Sequence, residues 1–114
     1  MNKRDLIKAC VEKWGDTQVD MLIEELAELI DAIQKLKRGR VGVKDVAEEI
    51  ADVRLMLDQI EYMLKCESMV DEAANYKLLR LEQRLRRNDD PKITEESALD
   101  NTPSELRLYG GVRR

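Results

Sequence analysis

Two long apolar patterns of helical period, joined by a short turn, constrain the fold of this chain more than any other feature. The first runs from Thr17 to Arg38 and the second from about Lys44 to Lys65, with Gly39 and Gly42 bracketing the turn. Apolar residues recur in both at spacings of three and four, which is the repeat of an amphipathic helix. A connection this short forces consecutive helices to run antiparallel. The sequence therefore predicts an αα-hairpin.

Two further helices complete the predicted fold. A short helix over about Lys3 to Lys13 ends at Gly15, and a fourth helix starts at Ser68 and runs to about Arg87. Thr17 followed by Asp20 resembles a capping box at the start of the second helix. The fourth helix carries leucines that we expect to face a core: Leu78, Leu81 and Leu85. We predict an all-α fold, an antiparallel helical bundle of about four helices.

The periodicity ends near residue 88, which limits the size of the packed part. We expect residues 1–88 to form one helical domain and residues 89–114 to form a C-terminal tail, partly disordered or packed on a partner subunit. Small helical domains bury a limited fraction of their surface. Uncovered apolar helix faces then favour self-association, most simply as a symmetric dimer.

Composition excludes several functional classes. Charged residues of both signs make up 39 % of the chain and the net charge is -4, which argues against a dedicated nucleic-acid binder. Histidine is absent, which excludes His-dependent catalytic pairs and argues against di-iron bundles built on Glu-x-x-His. Cys10 and Cys66 have no metal-ligand spacing and are expected to be reduced core residues. With no signal peptide or long apolar span, we expect a soluble cytoplasmic protein without membrane association.

Two acidic blocks nearly repeat each other, EELAE at 24–28 and EEIAD at 48–52. Residues three apart are neighbours on one helix face, so each block offers a pair of carboxylates. The pairs are Glu25 with Glu28, and Glu49 with Asp52. Acids occupy 24 of 114 positions, so a single such pair is weak evidence for a metal site. The prediction of a metal site depends on two such blocks lying on one hairpin, each beside apolar residues.

The register of the hairpin decides whether these pairs meet. A hairpin centred at Arg38/Gly39 would set Glu25 opposite Asp52 and Glu28 opposite Glu49. The visible turn is centred nearer 40 or 41, which leaves an offset of about four or five residues, or roughly 6 to 8 Å at the rise of an α-helix. Helix tilt, loop asymmetry and the length of glutamate side chains must absorb that offset.

The residue types favour Mg²⁺-assisted displacement at phosphorus. Mg²⁺ prefers carboxylates and substrate phosphates, whereas zinc prefers imidazole and thiolate. Metal ions would neutralise a polyphosphate and lower the pKa of an attacking water, while an unliganded glutamate accepts its proton. Glu24 and Glu48 are candidates for that role, and the spacing equally allows both to face solvent.

Basic and aromatic residues suit the rest of a nucleotide. The fourth helix presents Lys77, Arg80 and Arg84 on one face, where they could bind phosphate or complement the helix dipole. A nucleobase pocket needs an apolar wall and a few polar groups. The available residues are Trp14, Gln18, Met21 and Tyr76, although helical spacing alone accounts for Trp14 and Met21 as core residues.

The two acidic blocks resemble the MazG-like family of all-α nucleoside triphosphate pyrophosphohydrolases. That family carries E-E-x-x-E on one helix and E-x-x-D on the next, across a hairpin of about this length. The likeness covers roughly Trp14 to Arg87, and Trp14-Gly15 with Gln18 and the stretch 76–81 look like small phage-type or bacterial members.

The resemblance implies a reaction and a set of roles. A water would attack between the α- and β-phosphates of an NTP or dNTP, giving a nucleoside monophosphate and pyrophosphate. The implied ligands of Mg²⁺, with Mn²⁺ as a substitute, are Glu25, Glu28, Glu49 and Asp52, and the implied phosphate contacts are Lys77 and Arg80. The implied assembly is a homodimer or a homotetramer.

A different class of function remains open on the residues alone. The acids could be a solvated helix face on a non-catalytic helical dimerisation or regulatory module, or the chain could be a degenerate family member that binds nucleotide without hydrolysing it. A thermal-shift titration with Mg²⁺ and nucleotide separates the non-catalytic module from an enzyme.

Overall fold

The computed structural model describes residues 1–87 of the chain. These residues contain no strand and form four α-helices: α1 (Lys3–Trp14), α2 (Thr17–Lys37), α3 (Val43–Leu64) and α4 (Glu67–Arg86). Each helix begins and ends within one residue of its predicted bounds, so the all-α prediction is confirmed for the described part of the chain. The predicted tail, residues 89–114, lies outside the described residues.

The chain divides after Asp71 into two compact units. The first contains α1, α2, α3 and the first residues of α4, and the described part of the second is the remainder of α4. None of the described helices has a span long and apolar enough to cross a bilayer.

The core of the first unit lies between α2 and α3. Its buried apolar side chains are Ala32 and Leu36 from α2 and Val53 and Met56 from α3. The turn between the two helices is fixed by backbone hydrogen bonds. Gly39, at φ 71°, donates to the Leu36 carbonyl at 2.9 Å, and the Arg40 N–H donates to the Lys35 carbonyl at 2.8 Å. These two bonds form a Schellman motif, which ends α2 at the glycine that the sequence predicted.

The start of α3 and its end are also fixed locally. The Gly42 N–H donates to Asp45 Oδ2 at 3.0 Å, so an acid in the first turn holds the residue before the helix. At the other end Lys65 takes a left-handed conformation, φ 54°, and the Cys66 N–H donates to the Glu61 carbonyl at 3.1 Å. A left-handed residue with a side chain is strained relative to glycine, so this helix end carries a conformational cost.

The first helix packs mainly along α3, and the charged side chains of its first turn make contacts with later helices. Lys3 Nζ lies 2.9 Å from Asp58 Oδ2, and Arg4 lies 3.1 Å from Glu67 Oε2. The Arg4 guanidinium also lies 5.7 Å from the centre of the Tyr62 ring. Lys3–Asp58 and Arg4–Tyr62 connect α1 to α3, whereas Arg4–Glu67 connects it to the first residue of α4. Because these groups are largely exposed, each contact adds little to stability.

Three predictions of local detail are wrong. Thr17 does not cap α2: its hydroxyl donates to the Trp14 carbonyl at 2.6 Å, because the turn after α1 is so tight that Thr17 is already helical. Ser68 does not start α4, since the Cys66 carbonyl already accepts from the Val70 N–H at 2.9 Å. The α4 leucines predicted to face a core are exposed, and α4 has no buried residue. A helix can bury its row of apolar side chains only against another packed element.

Candidate metal centre

Antiparallel pairing of α2 and α3 brings the two acidic blocks together. Carboxylate oxygens of Glu25, Glu49 and Asp52 lie within 4.8 Å of one another. Glu28 lies close enough to Glu25 and Glu49 for its charge to raise the pKa of both. The fold therefore places side by side the four acids that the resemblance implies as metal ligands; their role as ligands stays a prediction.

One register explains all of these contacts. Gln18 pairs with Gln59 through a buried hydrogen bond in which Gln18 Nε2 donates to Gln59 Oε1. The two residue numbers of this pair add to the same total as those of Glu25 with Asp52 and of Glu28 with Glu49. The structure thus has the register of a hairpin centred at Arg38/Gly39, and the Schellman turn accommodates the asymmetric loop.

Desolvation and the close approach of like charges raise the pKa values of two of the acids. The pKa of Glu25 is raised by desolvation, then by the charges of Glu28, Asp52 and Glu49. The pKa of Glu49 is raised by desolvation, then by Glu28 and Asp52, with a smaller contribution from Glu48. Each ionised carboxylate is thus destabilised by its neighbours, which is the arrangement that a bound cation relieves.

The donor set fits a hard divalent cation. Glu25 Oε2 is buried and accepts no hydrogen bond from any described residue, so it is an unpaired acceptor beside two further carboxylates. Buried acceptors without partners are costly in native structures, and an ion is one way to satisfy them. All donors are carboxylate oxygens, which suit Mg²⁺ and Mn²⁺.

An acidic depression adjoins the cluster on the side towards the hairpin turn. It has a volume of about 270 Å³ and is lined by Glu28, Asp31, Ala32, Lys35, Val41, Asp45, Glu48 and Glu49. Its lysine is paired with Asp31 at 2.9 Å, which leaves the lining strongly negative. Asp31 and Asp45 were missed by the sequence reasoning. The signal that could have found them is their position, one residue before the inward-facing Ala32 and Val46.

Glu24 and Glu48 lie outside the cluster of Glu25, Glu49 and Asp52. Both are exposed, and each immediately precedes a member of it. Glu48 lines the acidic depression and contributes to the raised pKa of Glu49. Both are accessible to solvent water, as a proton acceptor must be, and their catalytic role stays a prediction.

The cations of α4 share one face, as their spacing predicts. Lys77, Arg80 and Arg84 line a shallow depression of about 310 Å³ together with Leu81. The Arg80 guanidinium lies 5.8 Å from the centre of the Tyr76 ring. Such a row offers point-charge and bidentate donors to phosphate, and that binding stays a prediction.

The residues considered for a nucleobase occupy different environments. Gln18 is 7 % exposed and uses its amide on Gln59, whereas Trp14 and Met21 are exposed on the first unit. Tyr76 is exposed on the second unit. The partner Gln59 was missed, because an isolated glutamine in a helical pattern gives no signal for pairing. A nucleobase pocket built from these four residues stays a prediction.

Comparison of the chain with protein-family models, curated proteins and solved structures gave no match.

Proposed function

We propose that the chain is a Mg²⁺-dependent nucleoside triphosphate pyrophosphohydrolase. The single observation that carries this proposal is the cluster of Glu25, Glu49 and Asp52, whose oxygens lie within 4.8 Å of one another with Glu28 beside Glu49. The resemblance of the acidic blocks to MazG-like enzymes supports the same reaction, and a homodimer or homotetramer is part of the proposal.

The reaction cleaves the α,β-phosphoanhydride. Water attacks the α-phosphorus, the bond from that phosphorus to the bridging oxygen breaks, and pyrophosphate leaves with the electron pair. Divalent cations held by Glu25, Glu28, Glu49 and Asp52 would offset the charge of the polyphosphate and lower the pKa of the water. Glu24 or Glu48 accepts the proton of that water. The products are a nucleoside monophosphate and pyrophosphate.

The test is a panel of the canonical NTPs and dNTPs with Mg²⁺ or Mn²⁺, read by separate assays for pyrophosphate and orthophosphate. We expect pyrophosphate release from at least one nucleotide. Glu49→Gln and Asp52→Asn should each abolish it while far-UV circular dichroism shows unchanged helix content. Glu12→Gln, at an exposed position on α1, is the matched control and should keep full activity. No turnover across the panel, or release of orthophosphate alone, would refute the proposal.

A non-catalytic dimerisation module is the second candidate, because both hairpin helices expose large aliphatic side chains. A ligand that binds only the native state raises the melting temperature. An enzyme should therefore show a thermal shift with Mg²⁺ and nucleotide that Glu49→Gln removes. A module whose acids are merely solvated should show none.

A further inference from the structure

Gln18 and Gln59 are the two buried polar side chains among the described residues, and we call them the amide pair. Gln18 lies in the first turn of α2 and Gln59 near the end of α3, so they meet at the end of the hairpin opposite the Gly39 turn. Gln18 Nε2 donates to Gln59 Oε1, and Gln59 Nε2 also donates to the Leu55 carbonyl at 3.4 Å. The amide pair therefore joins the two helices where the chain itself does not.

The amide pair lies in line with the carboxylate cluster. Glu25 follows Gln18 by seven residues on α2, and Asp52 precedes Gln59 by seven residues on α3. Seven residues are about two helical turns, so on each helix the glutamine and the acid share a face, about 10.5 Å apart along the axis. The hydrogen bond of the amide pair and the approach of Glu25 to Asp52 thus belong to one alignment of the helices.

The apolar core does not select this alignment by itself. Val53 and Met56, the buried apolar residues of α3, make contacts without direction, and methionine adapts its shape to its surroundings. A shift of one helix along the other would instead bury two amides without their mutual hydrogen bond, at about 1 to 3 kcal/mol each. A buried asparagine fixes the register of coiled coils for the same reason.

The place of the amide pair matters because the chain joins the hairpin helices only at the turn. Glu25 lies about 18 Å from Lys37, the last residue of α2, and Gln18 lies about 28 Å from it. An opening of the hairpin grows with distance from the turn, so roughly 3 Å at the amide pair corresponds to roughly 2 Å between Glu25 and Asp52. That displacement is as large as a bond from Mg²⁺ to oxygen, about 2.0 to 2.1 Å.

We propose that the amide pair is a positioning element for the candidate metal centre. It holds Glu25 opposite Asp52 and so sets the affinity of the cluster for a divalent cation. Neither glutamine belongs to the cluster, and both act through the helices that carry the acids. The proposal rests on the proposed function for the identity of the bound ion, and it assigns to Gln59 a role that no sequence pattern gave it.

The experiment is a titration of the full chain with Mn²⁺ alone, followed by the electron paramagnetic resonance signal of the free ion. The test variant combines Gln18→Leu with Gln59→Leu, because an apolar pair of similar volume keeps the fold. We expect its dissociation constant for Mn²⁺ to be roughly 10-fold or more above the wild-type value, as for the loss of other groups that orient metal ligands. Nucleotide is left out, because a contact of Gln18 with a nucleobase would change the binding of nucleotide but not of the bare ion.

Three control variants separate positioning from other effects. Leu36→Ala destabilises the core near the turn and should keep the wild-type affinity, as should Gln34→Leu, which removes an exposed amide of α2. Mn²⁺ that Glu49→Gln still binds is held outside the cluster and is subtracted. Far-UV circular dichroism verifies that each variant is folded during the titration. If the double leucine variant does not fold, a double methionine variant with unbranched side chains takes its place.

The outcomes distinguish this proposal from the proposed function. Equal Mn²⁺ affinity in the double variant and the wild type, or an equal loss in Leu36→Ala, would overturn the positioning role and leave the proposed function intact. A wild type that binds Mn²⁺ at the cluster but releases no pyrophosphate from any nucleotide, with the double variant still weaker for Mn²⁺, would overturn the proposed function alone. A wild type that binds no more Mn²⁺ than Glu49→Gln would overturn both.

Discussion

The buried amide pair of Gln18 and Gln59 gives the sharpest test of the hairpin register. The two side chains are 7 % and 9 % exposed and joined by one hydrogen bond. Replacing either with leucine leaves a buried amide group without this partner, which costs about 1 to 3 kcal/mol. Replacing both removes both polar groups, and an apolar pair of similar volume is close to neutral.

The group left unpaired differs between the single variants. In Gln18→Leu it is the acceptor Gln59 Oε1, while Gln59 Nε2 keeps its 3.4 Å bond to the Leu55 carbonyl. In Gln59→Leu it is the donor Gln18 Nε2. We expect about 2 kcal/mol lost in each single variant and less than either in the double variant, a coupling of about 2 kcal/mol or more. For a domain of this size each kcal/mol is about 4 to 8 °C in Tm.

The assay is urea unfolding followed by circular dichroism at 222 nm, at one fixed protein concentration because self-association would add to apparent stability. Gln34→Leu, at an exposed position on α2, is the control and should change stability by less than about 0.5 kcal/mol. A double variant that loses the sum of both single losses would refute the reasoning, because it would show that the amides act independently.

Three further predictions concern other parts of the chain. Because the pKa values of Glu25 and Glu49 are raised, these two carboxyl groups contribute stability that is complete below the ordinary carboxyl range and is lost as pH rises through the raised values. In chelator, Glu49→Gln should therefore lose less stability than the wild type over that rise in pH in thermal melts, and an equal change in both would count against the cluster. Lys65→Gly should raise the free energy of unfolding by about 0.5 to 1 kcal/mol by relieving the left-handed backbone, whereas Lys8→Gly, within α1, should lower it by about 1 kcal/mol in urea titrations. Leu36→Ala should cost about 2 to 4 kcal/mol in the same titrations, and a loss near zero would mean that Leu36 is not in a packed core.

Helix existence and hairpin pairing could be predicted from the sequence because both depend on local signals. Apolar spacing identified the helices, and Gly39 supplied the left-handed turn that ends α2. The opposition of Glu25 to Asp52 followed from the short connection, although the loop length suggested an offset. The Schellman turn explains why the helices pair without that offset. Its geometry depends on backbone hydrogen bonds, which cannot be read from the order of the residues.

The features that could not be predicted depend on which apolar row is buried. Leu22 and Ile23 are adjacent and equally apolar, yet only Leu22 is partly buried while Ile23 stays exposed. Helical periodicity does not indicate which of two neighbouring apolar rows on a helix is buried, since both rows repeat at the same spacing. The choice is made by the partner helix, and the amide of Gln18 had no visible partner until α3 was placed beside it.

Because neighbouring rows on α2 are one residue apart, consecutive residues of this helix lie in different environments. In Asp31-Ala32-Ile33 the first side chain lines the acidic depression, the second is buried, and the third is an exposed aliphatic side chain. Substitutions at neighbouring positions should therefore differ in effect: Asp31 variants should alter the response to cations, and Ala32 variants should lose stability. Glu25, seven residues before Ala32, lies in the same inward-facing row but belongs to the carboxylate cluster, so one row of α2 supplies both the packed core and the candidate metal centre.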